Sequence, residues 1–171
     1  MIKKFISYYK PYKKLFILDL IVATIATICS LIYPMMTRVL INETIPNKEI
    51  KVIGIFAIIL MLLYLIKAGC CYFMQYFGHL VGVGMQADMR RDMFNHLEEL
   101  PNSYFDNNRT GDLMSRMIND LMEISELAHH GPEDLFISIV MLLGSFIILS
   151  TINIPLTILV FAFVPFIVIF T

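Results

Sequence analysis

From Leu135 to Thr171 the chain carries no Asp, Glu, Lys or Arg. A helix rises 1.5 Å per residue, so about 20 apolar residues cross a hydrocarbon core of roughly 30 Å. Two further stretches are almost as bare. Leu15–Thr37 holds Asp19 as its one such charge, and Val52–Ala87 holds Lys67. A large soluble core would also raise apolar content, which is 58% here with 16% charged residues. Such a core distributes apolar residues as short periodic faces, whereas here they come in long runs. The reading is an all-α integral membrane protein that crosses the bilayer several times. The first run is too long for a cleavable signal peptide, and no small-residue cleavage pattern follows it.

Cys29, Cys70 and Cys71 all lie in apolar runs, with neither disulfide-framework nor zinc spacing. Cys70 and Cys71 read as packing residues rather than redox chemistry. A net charge of −1 hides an asymmetry, because most of the acids fall between Asp88 and Asp134, beside four arginines. No basic tract points to nucleic acid.

Residues 1–12 read as an interfacial elbow helix. Ile2, Phe5, Ile6 and Tyr9 fall at helical spacing, and Pro11 ends or bends the element. Spans are expected over about 15–41, with a kink at Pro34, and over 52–80, 135–152 and 156–171. The last is short of a full crossing, as though the chain stopped inside its fourth helix. Five lysines precede Leu15 and four arginines fall in 88–134, against two lysines in the 42–51 turn. That bias puts the N-terminus and the 81–134 segment in the cytoplasm, and the turn outside.

No proline interrupts Val52–Leu100. One helix over that stretch would extend roughly 73 Å, leaving about 40 Å beyond the bilayer. Met85, Met89, Met93, Leu97 and Leu100 continue an apolar stripe past the membrane, and Gly78, Gly82 and Gly84 are the weak point. Gly78-x-x-x-Gly82 also fits a common helix-packing motif. Pro101 stops the helix. Ser103 followed by Asp106 fits a capping pattern for a very short helix over Tyr104–Asn108. Arg109-Thr110-Gly111 reads as a turn, with Thr110 capping the next helix and Asp112 at its positive end. Leu113, Met117, Leu121, Ile124 and Ala128 give the returning stem its stripe, and Gly131-Pro132 marks a bend near re-entry. The tip is then either a docking surface bearing Tyr104 and Phe105 or a plain hairpin whose aromatics pack on its own stems.

The segment LPNSYFDNNRTGDLMSRMINDLMEI resembles the first intracellular loop of ATP-binding-cassette exporters. The matching residues are Tyr104, Phe105, Asp106, Gly111, Ser115, Arg116 and Asp120. The YYKPYKK before the first span looks like that family's elbow helix. The resemblance implies a six-helix exporter domain, of which residues 13–171 would be the N-terminal part. Tyr104, Phe105, Asp106, Asn107 and Asn108 would form a coupling helix resting on a nucleotide-binding domain. Gly111 would permit the turn behind it, and Ser115, Arg116 and Asp120 would hold the returning stem through polar contacts. The implied partners are that nucleotide-binding domain, on this or another chain, and a second transmembrane domain in a homo- or heterodimer. ATP and magnesium would sit in the nucleotide-binding domain. No cofactor is expected in this chain, which has no G-x-x-x-x-G-K-[ST] phosphate loop and no Gly-Lys pair.

Other groups are weighed singly. Lys67 within a span is a candidate lining residue of the substrate path, against snorkelling to headgroups or pairing with Asp19. Arg38 reads as interfacial. His129-His130 beside Glu133 and Asp134 lacks a histidine pair at i, i+4 and reads as a solvated stem rather than a metal site. A rival function is a membrane-anchored signalling bundle without transport. No nucleophile–base or metal constellation supports a membrane enzyme.

Overall fold

The computed structural model describes residues 2–170 and, within them, every side chain except those of Ile2, Lys3 and Asn107. Met1 of the expected elbow, Thr171 of the fourth span and the Asn107 side chain lie outside that description. The described chain is helical, with no strand. In order it forms α1 (Ile2–Ser7), α2 (Lys13–Val39), α3 (Ile50–Glu98), α4 (Asn102–Asn107), α5 (Thr110–Ser115), α6 (Leu121–Ile152), α7 (Ile154–Ala162) and α8 (Val164–Phe170). Short π-helical segments, Leu40–Thr44 and Arg116–Asp120, extend α2 and join α5 to α6. Three helical stretches, Lys13–Thr44, Ile50–Glu98 and Thr110–Ile152, are long and apolar enough to cross a membrane.

Contacts divide the chain into two units. One contains the residues up to Ala23 with Ala68–Leu135, and the other Thr24–Lys67 with the residues from Phe136 on.

The first unit has its core where α3 meets α6. Val81, Met85, Met89, Leu121 and Ala128 are buried together. Unbranched methionine side chains fill the irregular space between two helices. The N-terminal segment covers this core, as Phe5, Tyr8, Tyr9, Tyr12 and Leu15 pack against it. Helix α1 ends at Ser7 and the chain turns through residues 8–12, so the elbow is shorter than expected. Its expected apolar stripe is split, with Phe5 and Tyr9 turned inward and Ile6 exposed.

Helix α3 runs unbroken over 49 residues. Gly78, Gly82 and Gly84 do not interrupt it, because atoms of neighbouring segments occupy the space they leave. A Cβ at Gly78 would overlap the His129 ring, and one at Gly84 would overlap the ring of Tyr12. At Gly82 it would lie 3.3 Å from the Ser125 carbonyl oxygen. Tertiary packing outweighs the roughly 1 kcal/mol that each glycine costs a helix. The Gly78-x-x-x-Gly82 pair is therefore a site of close helix approach.

Several local expectations are corrected. Helix α4 begins at Asn102 behind Pro101, whose ψ of 154° is extended, so Ser103 lies inside the helix and is not its cap. Arg109, not Thr110, precedes α5, and no side chain caps it. Gly111 lies in the first turn of α5 without positive φ, and open space surrounds it, so no turn requires a glycine there. On the returning stem Ser125 is buried and Ile124 exposed. The buried set of Met117, Leu121, Ser125 and His129 advances by four residues at each step.

In the second unit Ala26, Thr27, Cys29, Thr44 and Thr157 are buried. A Cβ at Gly144 would overlap Leu31, which marks close approach of α2 and α6. Ile55, Ile58, Leu62 and Leu65 leave more than half of their surface uncovered. That is the state of side chains whose solvent is lipid. Asn153 separates α6 from α7, and its Oδ1 accepts from the Leu156 amide at 3.1 Å. The fourth run starts at Ile154 and is not one helix, because it breaks at Phe163. Pro165 explains the break, since it has no amide to donate to the Phe161 carbonyl and disfavours helical backbone before it.

Candidate functional site

The tip of the first unit is built by backbone punctuation. The last turn of α3 tightens, with the Glu99 amide donating to the His96 carbonyl at 3.3 Å and that of Leu100 to Leu97 at 3.1 Å. Pro101 then redirects the chain. Helix α4 starts with the Tyr104 amide donating to the Pro101 carbonyl at 2.9 Å. It ends at Asn108, whose backbone is extended and whose Nδ2 donates to the Tyr104 carbonyl at 2.8 Å. Extended residues at both ends make α4 a discrete element between the stems.

Tyr104 and Phe105 meet edge to face with ring centroids 5.6 Å apart. Tyr104 is half-buried, whereas Phe105 keeps 37% of its surface and Asp106 is exposed. Phe105 also lines a hollow of about 280 Å³ with Phe94, Leu97, Leu100, Leu113 and Met117. It therefore borders a cleft between the stem ends and the tip helix.

The polar residues of the returning stem make fewer contacts among the described residues than the resemblance implies. Ser115 accepts from Asn119 Nδ2 at 3.3 Å. Arg116 and Asp120 are exposed, with no ion pair between them among the described residues. One bond that ties stem to stem is not evident from spacing, as Arg90 Nε donates to the Met117 carbonyl at 3.3 Å.

A tyrosine ladder adds further ties. Tyr8 donates to Asp92 at 2.7 Å and Tyr12 to Asp88 at 3.0 Å. Burial, and then the Asp92 carboxylate, push the Tyr8 phenol up to about 12. Burial and Asp88 raise Tyr12 in the same direction. Both phenols therefore remain protonated donors throughout the physiological range. Tyr9 donates to the Ala128 carbonyl at 2.6 Å. The available signal was Asp88 and Asp92 one helical turn apart, facing a segment with tyrosines at 8, 9 and 12.

Near membrane re-entry the expectation of a solvated stem fails. His129 and Glu133 are 3% and 5% exposed, and Asp19 beside them is 1% exposed. The helical register of α6 turns 129 and 133 to the same face as Leu121 and Ser125. In the second unit Lys67 is exposed and lines a hollow of about 290 Å³ with Ser30, Tyr33, Leu63 and Tyr64. Arg38 edges an apolar hollow of about 330 Å³ lined by Leu31, Pro34, Met35, Ile148 and Leu149.

Long apolar helices, a polar hairpin and a discrete tip helix define an all-helical domain of the membrane-spanning class. Residues 16–171 match the family model of the ABC transporter transmembrane region, and the chain belongs to that family. Among its relatives is YwjA of Bacillus subtilis strain 168, named an uncharacterized ABC transporter ATP-binding protein. It is 40% identical over 168 residues, covering 98% of this chain and 29% of the relative. An ATP-dependent lipid A-core flippase of Thiobacillus denitrificans is 26% identical over 162 residues, covering 95% of this chain and 28% of the flippase. The chain thus spans less than a third of the length of either relative.

Proposed function

We propose that this chain is the N-terminal part of the membrane domain of an ATP-driven ABC exporter, and that α4 is its coupling helix. The observation that carries the reading is α4 itself, a separate six-residue helix bounded by extended backbone and presenting Phe105 and Asp106 outward. A rigid tip with an exposed aromatic suits a docking surface, because buried aromatic anchors dominate many interfaces. Tyr104 to Asn108 meet a nucleotide-binding domain, which holds ATP and magnesium through its own phosphate loop. Ser115, Arg116 and Asp120 lie on the stem behind this contact, and Gly111 in the first turn of α5. The N-terminus and the hairpin are cytoplasmic. The domain pairs with a second membrane domain in the cell membrane, and Lys67 faces the path of the substrate. The names of the relatives, which include ATP-binding proteins and a lipid flippase, favour amphipathic cargo moved by ATP.

The test is Phe105→Ala in the full-length protein. Truncating an interface anchor costs about 2 kcal/mol or more, so the ratio of substrate moved to ATP hydrolysed should fall while the melting temperature holds. If stability drops and the ratio stays at the wild-type value, Phe105 is a brace between the stems and the coupling assignment is wrong.

A further inference from the structure

Asp19 on α2 and His129 and Glu133 on α6 form a cluster that neither the exporter reading nor the comparisons use. One ligand atom from each lies within 4.8 Å of those of the other two. All three residues are buried. Both Asp19 carboxylate oxygens and Glu133 Oε2 are enclosed with no N–H or hydroxyl donor on them among the described residues, and the two carboxyl groups face each other. His129 Nδ1 lies 3.5 Å from Glu133 Oε2, without hydrogen-bond geometry. The other titratable groups around the cluster are His79, His130 and Asp134. None of these is a lysine or arginine.

Two carboxylates in one dry site repel each other, and a buried unpaired charge costs several kcal/mol. Either a shared proton or a bound cation must offset that charge. A neutral imidazole with two carboxylates is a mixed nitrogen–oxygen donor set, which suits borderline divalent ions better than Mg²⁺ or Ca²⁺. A 2+ ion would cancel the two negative charges. Ligands about 2.1 Å from a shared ion stand roughly 3–4 Å apart, so the observed grouping needs little closure. The seat is shaped for this ring, because Gly78 leaves the room that His129 fills.

An approach route exists on the same side. His129 lines a surface hollow of about 180 Å³ with His79, Gly82, Gln86, Ser125 and Glu126. His79, His129 and His130 form a second triplet whose ligand atoms lie within 4.8 Å of one another, and His79 is exposed. The two triplets share His129, so an ion captured by the outer histidines meets the buried carboxylates next.

We propose that Asp19, His129 and Glu133 bind one divalent transition-metal ion, with Zn²⁺ as the probe, and so fasten α2 to α6. This reverses the expectation from spacing, which saw no metal site at His129-His130.

The experiment uses full-length protein in lipid nanodiscs with its purification tag removed. Protein stripped with EDTA is equilibrated with ZnCl₂ or MgCl₂, and bound metal is counted by mass spectrometry beside a thermal melt. Wild type should take up one Zn²⁺ per chain and melt higher with Zn²⁺ but not with Mg²⁺. Asp19→Asn and Glu133→Gln keep side-chain shape and should each weaken binding at least tenfold, while Glu123→Gln at an exposed position should not. His79→Ala should slow uptake and leave the final stoichiometry unchanged. If wild type takes up no stoichiometric Zn²⁺, the carboxylates share a proton instead and the proposal is overturned. If Zn²⁺ binding persists in both Asp19→Asn and Glu133→Gln, the ion lies elsewhere and the proposal is equally overturned.

Discussion

Tyr9→Phe removes one oxygen atom from the first unit and should open α6 locally. Pro132 lies inside α6 and has no amide hydrogen, so the Ala128 carbonyl four residues earlier lacks its helical donor. The Tyr9 hydroxyl donates to that carbonyl at 2.6 Å. Burial raises the Tyr9 phenol above its ordinary value, so it keeps the proton it donates. Ala128 is 1% exposed, and water cannot substitute freely. A buried acceptor left unsatisfied costs about 1–3 kcal/mol. At 1.4 kcal/mol per tenfold, amides flanking residue 128 should exchange with deuterium about 5- to 150-fold faster. Pro132→Ala restores the missing donor within the helix. In that background Tyr9→Phe should lose most of its effect, leaving a coupling of about 1 kcal/mol or more between the two positions. Exchange measured by mass spectrometry on peptides covering 121–135, in the four proteins of the cycle, gives the answer. Equal acceleration by Tyr9→Phe with and without Pro132 would refute the idea that the phenol replaces the proline's missing amide.

The other expectations concern packing, charge and topology. Met85 is fully buried, so Met85→Ala should cost about 2–5 kcal/mol and lower the melting temperature, whereas Met114→Ala at an exposed position should change little. Gly78→Ala should destabilise the first unit by displacing His129, and Gly111→Ala should be neutral or slightly stabilising, since the added methyl meets nothing and helix propensity improves. The Tyr8 phenol has a raised folded value, so its contribution is complete below pH 10 and lost as pH climbs through about 12. Alkaline melting of wild type should therefore fall more steeply than that of Tyr8→Phe over this window. Cysteines placed at Asn47 and Asn102, in a background lacking Cys29, Cys70 and Cys71, should react with impermeant maleimide on intact cells at 47 alone; labelling at 102 alone would invert the topology.

Residues that act through chain-local physics were legible from sequence. Long uncharged helical runs demand a membrane because lipid solvates their side chains while the helix satisfies its own backbone, and that constraint does not depend on what packs where. Pro101 marked the end of α3, whereas the cap read at Ser103 did not hold, because α4 begins at Asn102. The methionine stripe at 85, 89 and 93 named the inward face of the C-terminal half of α3 correctly. What the sequence did not disclose depended on contacts between distant segments. A glycine lowers helix propensity, yet Gly78 and Gly84 sit in an unbroken helix because His129 and Tyr12 occupy the space beside them. His129 and Glu133 look solvated beside Asp134 in the linear order, but the register of α6 brings them against Asp19, more than a hundred residues away. The tyrosines at 8, 9 and 12 gained their partners in the same way. Apolar length and helix punctuation are sums over neighbouring residues and can be read along the chain. Which polar groups lose water, and what then satisfies them, is set only when two helices close on each other.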